Sequence, residues 1–103
     1  MKESLIQKEI MDYLKARDIF HWRTPNLPWG NRKNIVFRGV SDILGFYCGK
    51  FFAIEIKKPG GRLSKEQEIF LNAVKNNGQI AVVAYSVNDI ISVFKELKNG
   101  EIT

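Results

Sequence analysis

The sequence predicts an α/β domain in which helices flank a mixed four-stranded sheet. Hydrophobic periodicity changes along the chain in the order α-β-β-β-α-β-α. Three extended segments, followed by a helical crossover to a fourth, imply a sheet with both antiparallel and parallel pairs. The length of 103 residues suits one hydrophobic core and is too short for two. We therefore expect residues 1–103 to form a single domain.

The N-terminal third is predicted to contain a helix, a short strand and a long loop. Residues 3–17 place apolar side chains on one helical arc, formed by Leu5, Ile6, Ile10, Tyr13 and Leu14. Residues 19–23 follow as a short strand. Two prolines and a glycine exclude regular structure from residues 24–34. Long loops in compact domains are often functional.

The middle of the chain is predicted to form a β-hairpin. Residues 35–47 are expected to be one extended strand, bent at Gly39 or Gly45. Gly49 turns the chain into a second strand, residues 50–58, which a Pro-Gly-Gly run ends.

The C-terminal part is predicted to be helix, strand and helix. Ser64 begins the first helix and Asn77-Gly78 ends it. Its expected apolar stripe consists of Ile69, Phe70, Ala73 and Val74. Residues 79–85 are predicted to be a strand, and the continuous apolar run after Gln79 is typical of a strand buried on both faces. The last helix, residues 87–98, has an apolar face of Ile90, Ile91, Val93, Phe94 and Leu97.

The composition is that of a basic globular domain. Hydrophobic residues make up 45% of the chain and charged residues 26%, which is ordinary for a soluble globular protein. The net charge of +5 favours an anionic partner, most commonly nucleic acid. Cys48 is the only cysteine, which excludes an intrachain disulfide and a cysteine-based zinc site. No apolar run is long enough for a signal peptide or membrane span, so we expect a cytoplasmic protein without a membrane partner.

Three charged residues of the predicted hairpin stand out. Strand alternation places Glu55 and Lys57 on one face, about 7 Å apart, where burial is costly unless the charges are paired or bound. Alone, Glu-X-Lys is typical of an ion pair at a strand end. The hairpin would bring Asp42 close to Glu55, and two carboxylates that close repel unless a cation lies between them. Magnesium or manganese suits such ligands, although Asp42 alone is equally typical of a turn or strand end.

Glu9 is a fourth candidate. It falls between Leu5 and Tyr13 on the helical wheel, within the predicted apolar arc. It is either an edge residue that reaches solvent or a residue of the site.

The motifs, taken in order, resemble the PD-(D/E)XK nuclease superfamily and, within it, the VRR-NUC family. The matching pieces are Glu9, Gly39-Val40-Ser41-Asp42, Glu55-Ile56-Lys57 and Ser64-Lys65-Glu66-Gln67. The likeness spans residues 3–85. Ser41 occupies a position where proline is common, but that proline is not a ligand.

The resemblance implies a restriction-endonuclease-like core and a Mg²⁺- or Mn²⁺-dependent active site. Asp42 and Glu55 would bind the metal, the backbone carbonyl of Ile56 would be a further ligand, and Glu9 would reach it directly or through water. Lys57 would orient the attacking water and help to deprotonate it. Gln67 would belong to the site, although Ser-X-X-Gln is also a helix capping box.

The resemblance also implies an endonuclease that acts on DNA, selecting flap, branched or four-way-junction structures in bacterial or phage repair, recombination or replication. The alternative is a non-catalytic nucleic-acid-binding module on the same scaffold. A homodimer, and a helicase or other replication or repair proteins acting in trans, are expected partners. The candidate nucleic-acid-binding residues are Arg32, Lys33, Arg38, Lys58, Arg62 and Lys65. The loop that contains the first two could equally be a surface loop anchored by a buried tryptophan.

Overall fold

The computed structural model describes residues 2–24 and 39–98. These ranges contain helices and strands in the predicted order. The helices are α1 (Glu3–Ala16), α2 (Lys65–Asn76) and α3 (Val87–Lys98). The strands are β1 (Phe20–Arg23), β2 (Ile43–Tyr47), β3 (Lys50–Ile56) and β4 (Ile80–Ala84). Within the described ranges, no helix is long and apolar enough to cross a membrane.

The four strands form one mixed sheet in the order β1-β2-β3-β4, which confirms the predicted fold class. The first two pairs are antiparallel and β3 pairs with β4 in parallel. Cys48 and Gly49 connect β2 to β3 with φ angles of 52° and 77°. Two successive positive φ angles are typical of a type I′ turn, whose twist matches that of the flanking strands.

The first strand of the hairpin is shorter than predicted. It begins only at Ile43, because Gly39 adopts φ 78° and residues 39–42 leave the extended conformation. Residues 35–38 lie outside the described residues, as do residues 25–34 of the predicted loop. The second strand ends at Ile56, two residues earlier than expected.

The sheet separates two apolar layers, as the alternation in β3 predicts. Phe52 and Ile54 pack with α1 and α3 on one face. Ala53 packs with Leu71 and Val74 of α2 on the other. The predicted stripe of α2 was therefore partly wrong: Leu71 was missed, and Ile69 is 60% exposed. In α3, the predicted face is buried at Ile90, Phe94 and Leu97, half-buried at Val93 and exposed at Ile91.

Candidate active site

Asp42 lies beside Glu55 where the β2–β3 pair ends. The paired register reaches Ile43 opposite Ile54, so the next position along brings Asp42 to Glu55. The Asp42 Oδ2 atom accepts a hydrogen bond of 2.8 Å from the backbone N–H of Ile56. This bond ties the Asp42 carboxylate to the neighbouring strand.

Thr24, just after β1, holds the other side of the Asp42 segment. Its backbone N–H donates to the Asp42 carbonyl at 3.0 Å, and its hydroxyl donates to the Ser41 carbonyl at 2.9 Å. Ser41 is fully buried, and within residues 2–24 and 39–98 its own hydroxyl has no hydrogen-bond partner. The segment before β2 is therefore fixed by contacts to both β1 and β3, although it is not itself a strand. The sequence motifs did not indicate the contribution of Thr24.

Glu55 is only 2% exposed, and its two carboxylate oxygens have different environments. Oε2 accepts a hydrogen bond of 3.0 Å from Gln67 Nε2 and lies 3.9 Å from Lys57 Nζ. Oε1 is buried and has no hydrogen-bond partner among the described residues. Burial, followed by the charge of Asp42, raises the pKa of Glu55 to about 8, against the opposing effect of Lys57.

Gln67 connects the site to the start of α2. Its Oε1 accepts from the Ser64 backbone N–H at 2.8 Å, while its own N–H donates to Ser64 Oγ at 3.1 Å. The predicted capping box is therefore confirmed. Because the cap uses Oε1, the Nε2 group remains available to Glu55, and one side chain serves both purposes.

A different glutamate of α1, the exposed Glu3, lies beside the end of β3. Its carboxylate accepts from the Lys58 backbone N–H at 3.4 Å, and its charge contributes to the raised pKa of Glu55. Glu9 is exposed, so its predicted place within the apolar arc is wrong. Successive helical residues are rotated by about 100°, which turns Glu9 away from buried Ile10. Glu3 lies seven residues before Ile10, nearly two full turns, and this spacing could have identified it.

Three of the predicted nucleic-acid-binding residues border the cluster. Lys58, Arg62 and Lys65 are exposed along the segment from the end of β3 into α2. The half-buried Lys57 side chain lies beside Gly61, since a Cβ atom built there would be 3.4 Å from Lys57 Cβ. Arg32, Lys33 and Arg38 lie outside the described residues.

The donor set of the cluster fits a hard divalent cation. Among residues 2–24 and 39–98, no group of three or more His, Cys, Asp or Glu is placed to hold a metal ion. The described site therefore offers two adjacent carboxylates, Asp42 and Glu55, rather than a complete side-chain cage. The buried Glu55 Oε1 atom, unpartnered by any described residue, is the kind of oxygen that Mg²⁺ or Mn²⁺ binds, with water and phosphate at the remaining positions.

Comparisons with known proteins identify the family and the fold of this chain. The VRR-NUC domain model matches residues 15–88. A solved structure described as a VRR_NUC domain protein superposes with a TM-score of 0.73 at 20% identity, covering 93% of this chain and 87% of that one. No curated protein matches the chain. Because the family model spans more than half of the sequence, the chain belongs to the VRR-NUC family of nuclease-like domains.

Proposed function

We propose that this domain is a Mg²⁺- or Mn²⁺-dependent endonuclease that hydrolyses DNA phosphodiester bonds, with Asp42 and Glu55 as its metal-binding carboxylates. The observation that carries the proposal is the buried Glu55 carboxyl beside Asp42, one oxygen of which has no partner in the described part of the chain. Two adjacent carboxylates need a shared proton or a cation to offset their repulsion. Membership of a nuclease-like family supports the cation as the functional occupant.

The neighbouring residues have complementary roles in this proposal. A divalent cation held by Asp42, Glu55 and the Ile56 carbonyl would supply an activated water nucleophile and offset the charge that develops on the phosphate. Gln67 holds Glu55 through Oε2, so that Oε1 would remain available to bind a metal. Lys57, whose ammonium is 3.9 Å from Glu55, orients the attacking water and helps to deprotonate it.

We further propose that the enzyme selects DNA by structure, acting on flap, branched or four-way-junction DNA during repair, recombination or replication. Lys58, Arg62 and Lys65 are exposed beside the site, where they can contact backbone phosphates. Phosphate contacts fix position but carry no base sequence. Glu3 takes the place of Glu9 in the proposed site, as the helical carboxylate that would reach the metal through water.

The test is cleavage of linear, flap and four-way-junction DNA, with Mg²⁺ or with chelator. We expect cleavage with Mg²⁺ alone. Asp42→Asn and Glu55→Gln should each lower the cleavage rate by at least about 100-fold. Loss of a residue that only orients a metal ligand costs about 10- to 100-fold, and loss of a ligand itself should cost no less. Both variants should still bind DNA. Asp12→Asn, which removes an exposed carboxylate from α1, is the control and should cleave normally.

Undiminished cleavage by both site variants would contradict the assignment. Wild-type protein that binds these DNAs and cuts none of them would instead favour the non-catalytic module.

A further inference from the structure

An exposed aromatic surface lies on the same face of the sheet as Glu55. Phe20 is 70% exposed, Phe46 53% and Trp22 39%. Their ring centroids are 6.0 to 6.3 Å apart, and Phe46 lies 5.7 Å from Phe51. We call these four residues the aromatic platform. Large aromatic side chains grouped on a surface commonly mark a binding site.

The platform is exposed because α2 covers only part of this face. Among the described residues, α2 contacts β3 and β4 but neither β1 nor β2. Phe51 is half-buried at the border of the α2 layer, and the other rings continue outward over β2 and β1. The platform is therefore an extension of the apolar layer beyond its helix.

Strand register connects the platform to the proposed active site. Phe46 pairs with Phe51, and Trp22 with Leu44, which in turn pairs with Ala53. Same-face positions along a strand are about 7 Å apart. Trp22 and its cross-strand partners therefore lie about 7 Å along the strands from Asp42 and Glu55. Phe46 and its partners lie twice as far away, at about 13 Å. These separations are comparable with those between neighbouring nucleotides of an extended strand.

The size of the platform argues against a second copy of the chain as its occupant. At about 200 Å² per aromatic side chain, the exposed fractions amount to on the order of 300 Å². A stable protein interface needs roughly 800 Å² from each partner. A few stacked bases fit the smaller area. Neither β1 nor β2 contains an acidic residue that would repel a nucleic-acid strand.

We infer that the aromatic platform stacks unpaired bases of the DNA strand whose phosphate lies at Asp42 and Glu55. The inference rests on the proposed function, which sets the position of that phosphate. Bases inside a duplex are stacked on one another, so only unpaired bases can lie against protein rings. The platform thus defines the substrate class as DNA with single-stranded nucleotides beside the cleavage point.

The test measures binding without metal, so that its outcome does not depend on cleavage. Fluorescence anisotropy in chelator compares single-stranded DNA with blunt duplex DNA of the same length. The variant is Phe20→Leu with Phe46→Leu, which keeps apolar bulk and removes two aromatic faces. We expect it to bind single-stranded DNA at least about fivefold more weakly, with duplex binding changed by less than about twofold. Ile69→Ala, at an exposed apolar residue of α2, is the control and should change neither.

Unchanged single-strand binding, or an equal loss for both DNAs, would overturn the inference. A dimer interface at the platform would also overturn it. In that case sedimentation would show a dimer that Phe46→Lys dissociates, and the leucine variant would bind single-stranded DNA normally. Wild-type protein that needs the platform for single-strand binding but cuts no DNA would contradict only the proposed function. Normal flap cleavage and normal binding by the leucine variant would contradict only the stacking. Circular dichroism melting of each variant confirms that it is folded.

Discussion

The carboxyl group of Glu55 is buried beside another carboxylate, and both conditions oppose its ionisation. Its pKa is about 8 in the folded, metal-free protein, against an ordinary value of 4.5. The folded state therefore holds this proton more tightly than the unfolded state does. The resulting stabilisation is complete below a pH of about 4.5 and is lost as the pH rises through about 8.

We accordingly expect metal-free protein to lose stability between about pH 5 and pH 9, relative to Glu55→Gln. The loss should be on the order of 4 kcal/mol, at about 1.4 kcal/mol per pH unit. Urea unfolding of both proteins in chelator measures it. Added Mg²⁺ should restore stability at pH 9 to the wild type and not to the variant, because binding requires the ionised carboxylate. If the free energy of unfolding changed with pH in the same way for both proteins, Glu55 would not be the group that causes the loss of stability.

Gln67 offers a second test at the residue scale, because its amide joins a helix cap to the site. Gln67→Ala and Ser64→Ala should each lower the free energy of unfolding by about 1 kcal/mol through loss of the capping box. Only Gln67→Ala removes the hydrogen bond to Glu55. We expect it alone to weaken Mg²⁺ affinity and cleavage by about 10- to 100-fold. Equal losses of activity in the two variants would mean that the cap, and not the bond to Glu55, sets the activity.

At the scale of elements, the start of α2 and the segment before β2 hold each other in place. Gly39 is where they meet, since a Cβ atom there would lie 2.3 Å from the backbone carbon and oxygen of Glu66. The positive φ of Gly39 adds to the restriction. This contact keeps Asp42, three residues later, close to the helix that supplies Gln67.

We expect Gly39→Ala to destabilise the protein and to lower cleavage by displacing Asp42. Gly49→Ala is the matched control, because Gly49 has φ 77° but no atom within 4 Å of a Cβ built there. The control should lose about 1–2 kcal/mol from backbone strain. Gly39→Ala should lose roughly 2 kcal/mol more, the usual size of an overpacking penalty. Urea denaturation and a cleavage assay measure both effects, and equal losses in the two variants would rule out the contact with α2.

At the scale of the whole molecule, the two sheet faces serve different purposes. The face under α1 and α3 is closed by apolar packing and includes Ile54, Ile56 and Phe94. The face under α2 has a small apolar cluster, with Glu55 at one end of the strands and the aromatic platform at the other. The proposed chemistry and binding surfaces thus lie on the less completely covered face.

DNA binding can depend on the overall net charge or on the position of the positive charges. Two variants with the same net charge separate these two contributions. Replacing Lys58, Arg62 and Lys65 by alanine should weaken DNA binding and reduce the slope of log affinity against log salt by up to roughly 3. Replacing exposed Lys15, Lys95 and Lys98, which lie on α1 and α3, makes the same change in net charge away from the site. Its effect on the slope should be clearly smaller. Binding titrations across salt concentrations measure both, and equal slopes would indicate a non-specific charge effect.

The order of elements, the two faces of β3 and the likeness to the VRR-NUC family could all be predicted from the sequence. These features depend on local periodicity and on short motifs. The alternation of Phe52 and Ile54 with Ala53 and Glu55 gives the two faces directly, because side chains of a strand point alternately to opposite sides. The capping box at Ser64 could also be predicted, because its two partners, Ser64 and Gln67, are only three residues apart.

Tertiary contacts added groups around Asp42 and Glu55 that the sequence did not indicate. Glu3 contacts the Lys58 backbone just after β3, Thr24 holds the Asp42 backbone, and Gly39 lies against the start of α2. The exposure of Phe20, Trp22 and Phe46 likewise depends on where α2 ends its coverage of the sheet. The first three are contacts between segments that are distant in sequence. The exposed rings reflect a missing contact, since among the described residues α2 does not touch β1 or β2. Periodicity carries no such information, because it reports which side of an element is apolar and not which neighbour packs against it.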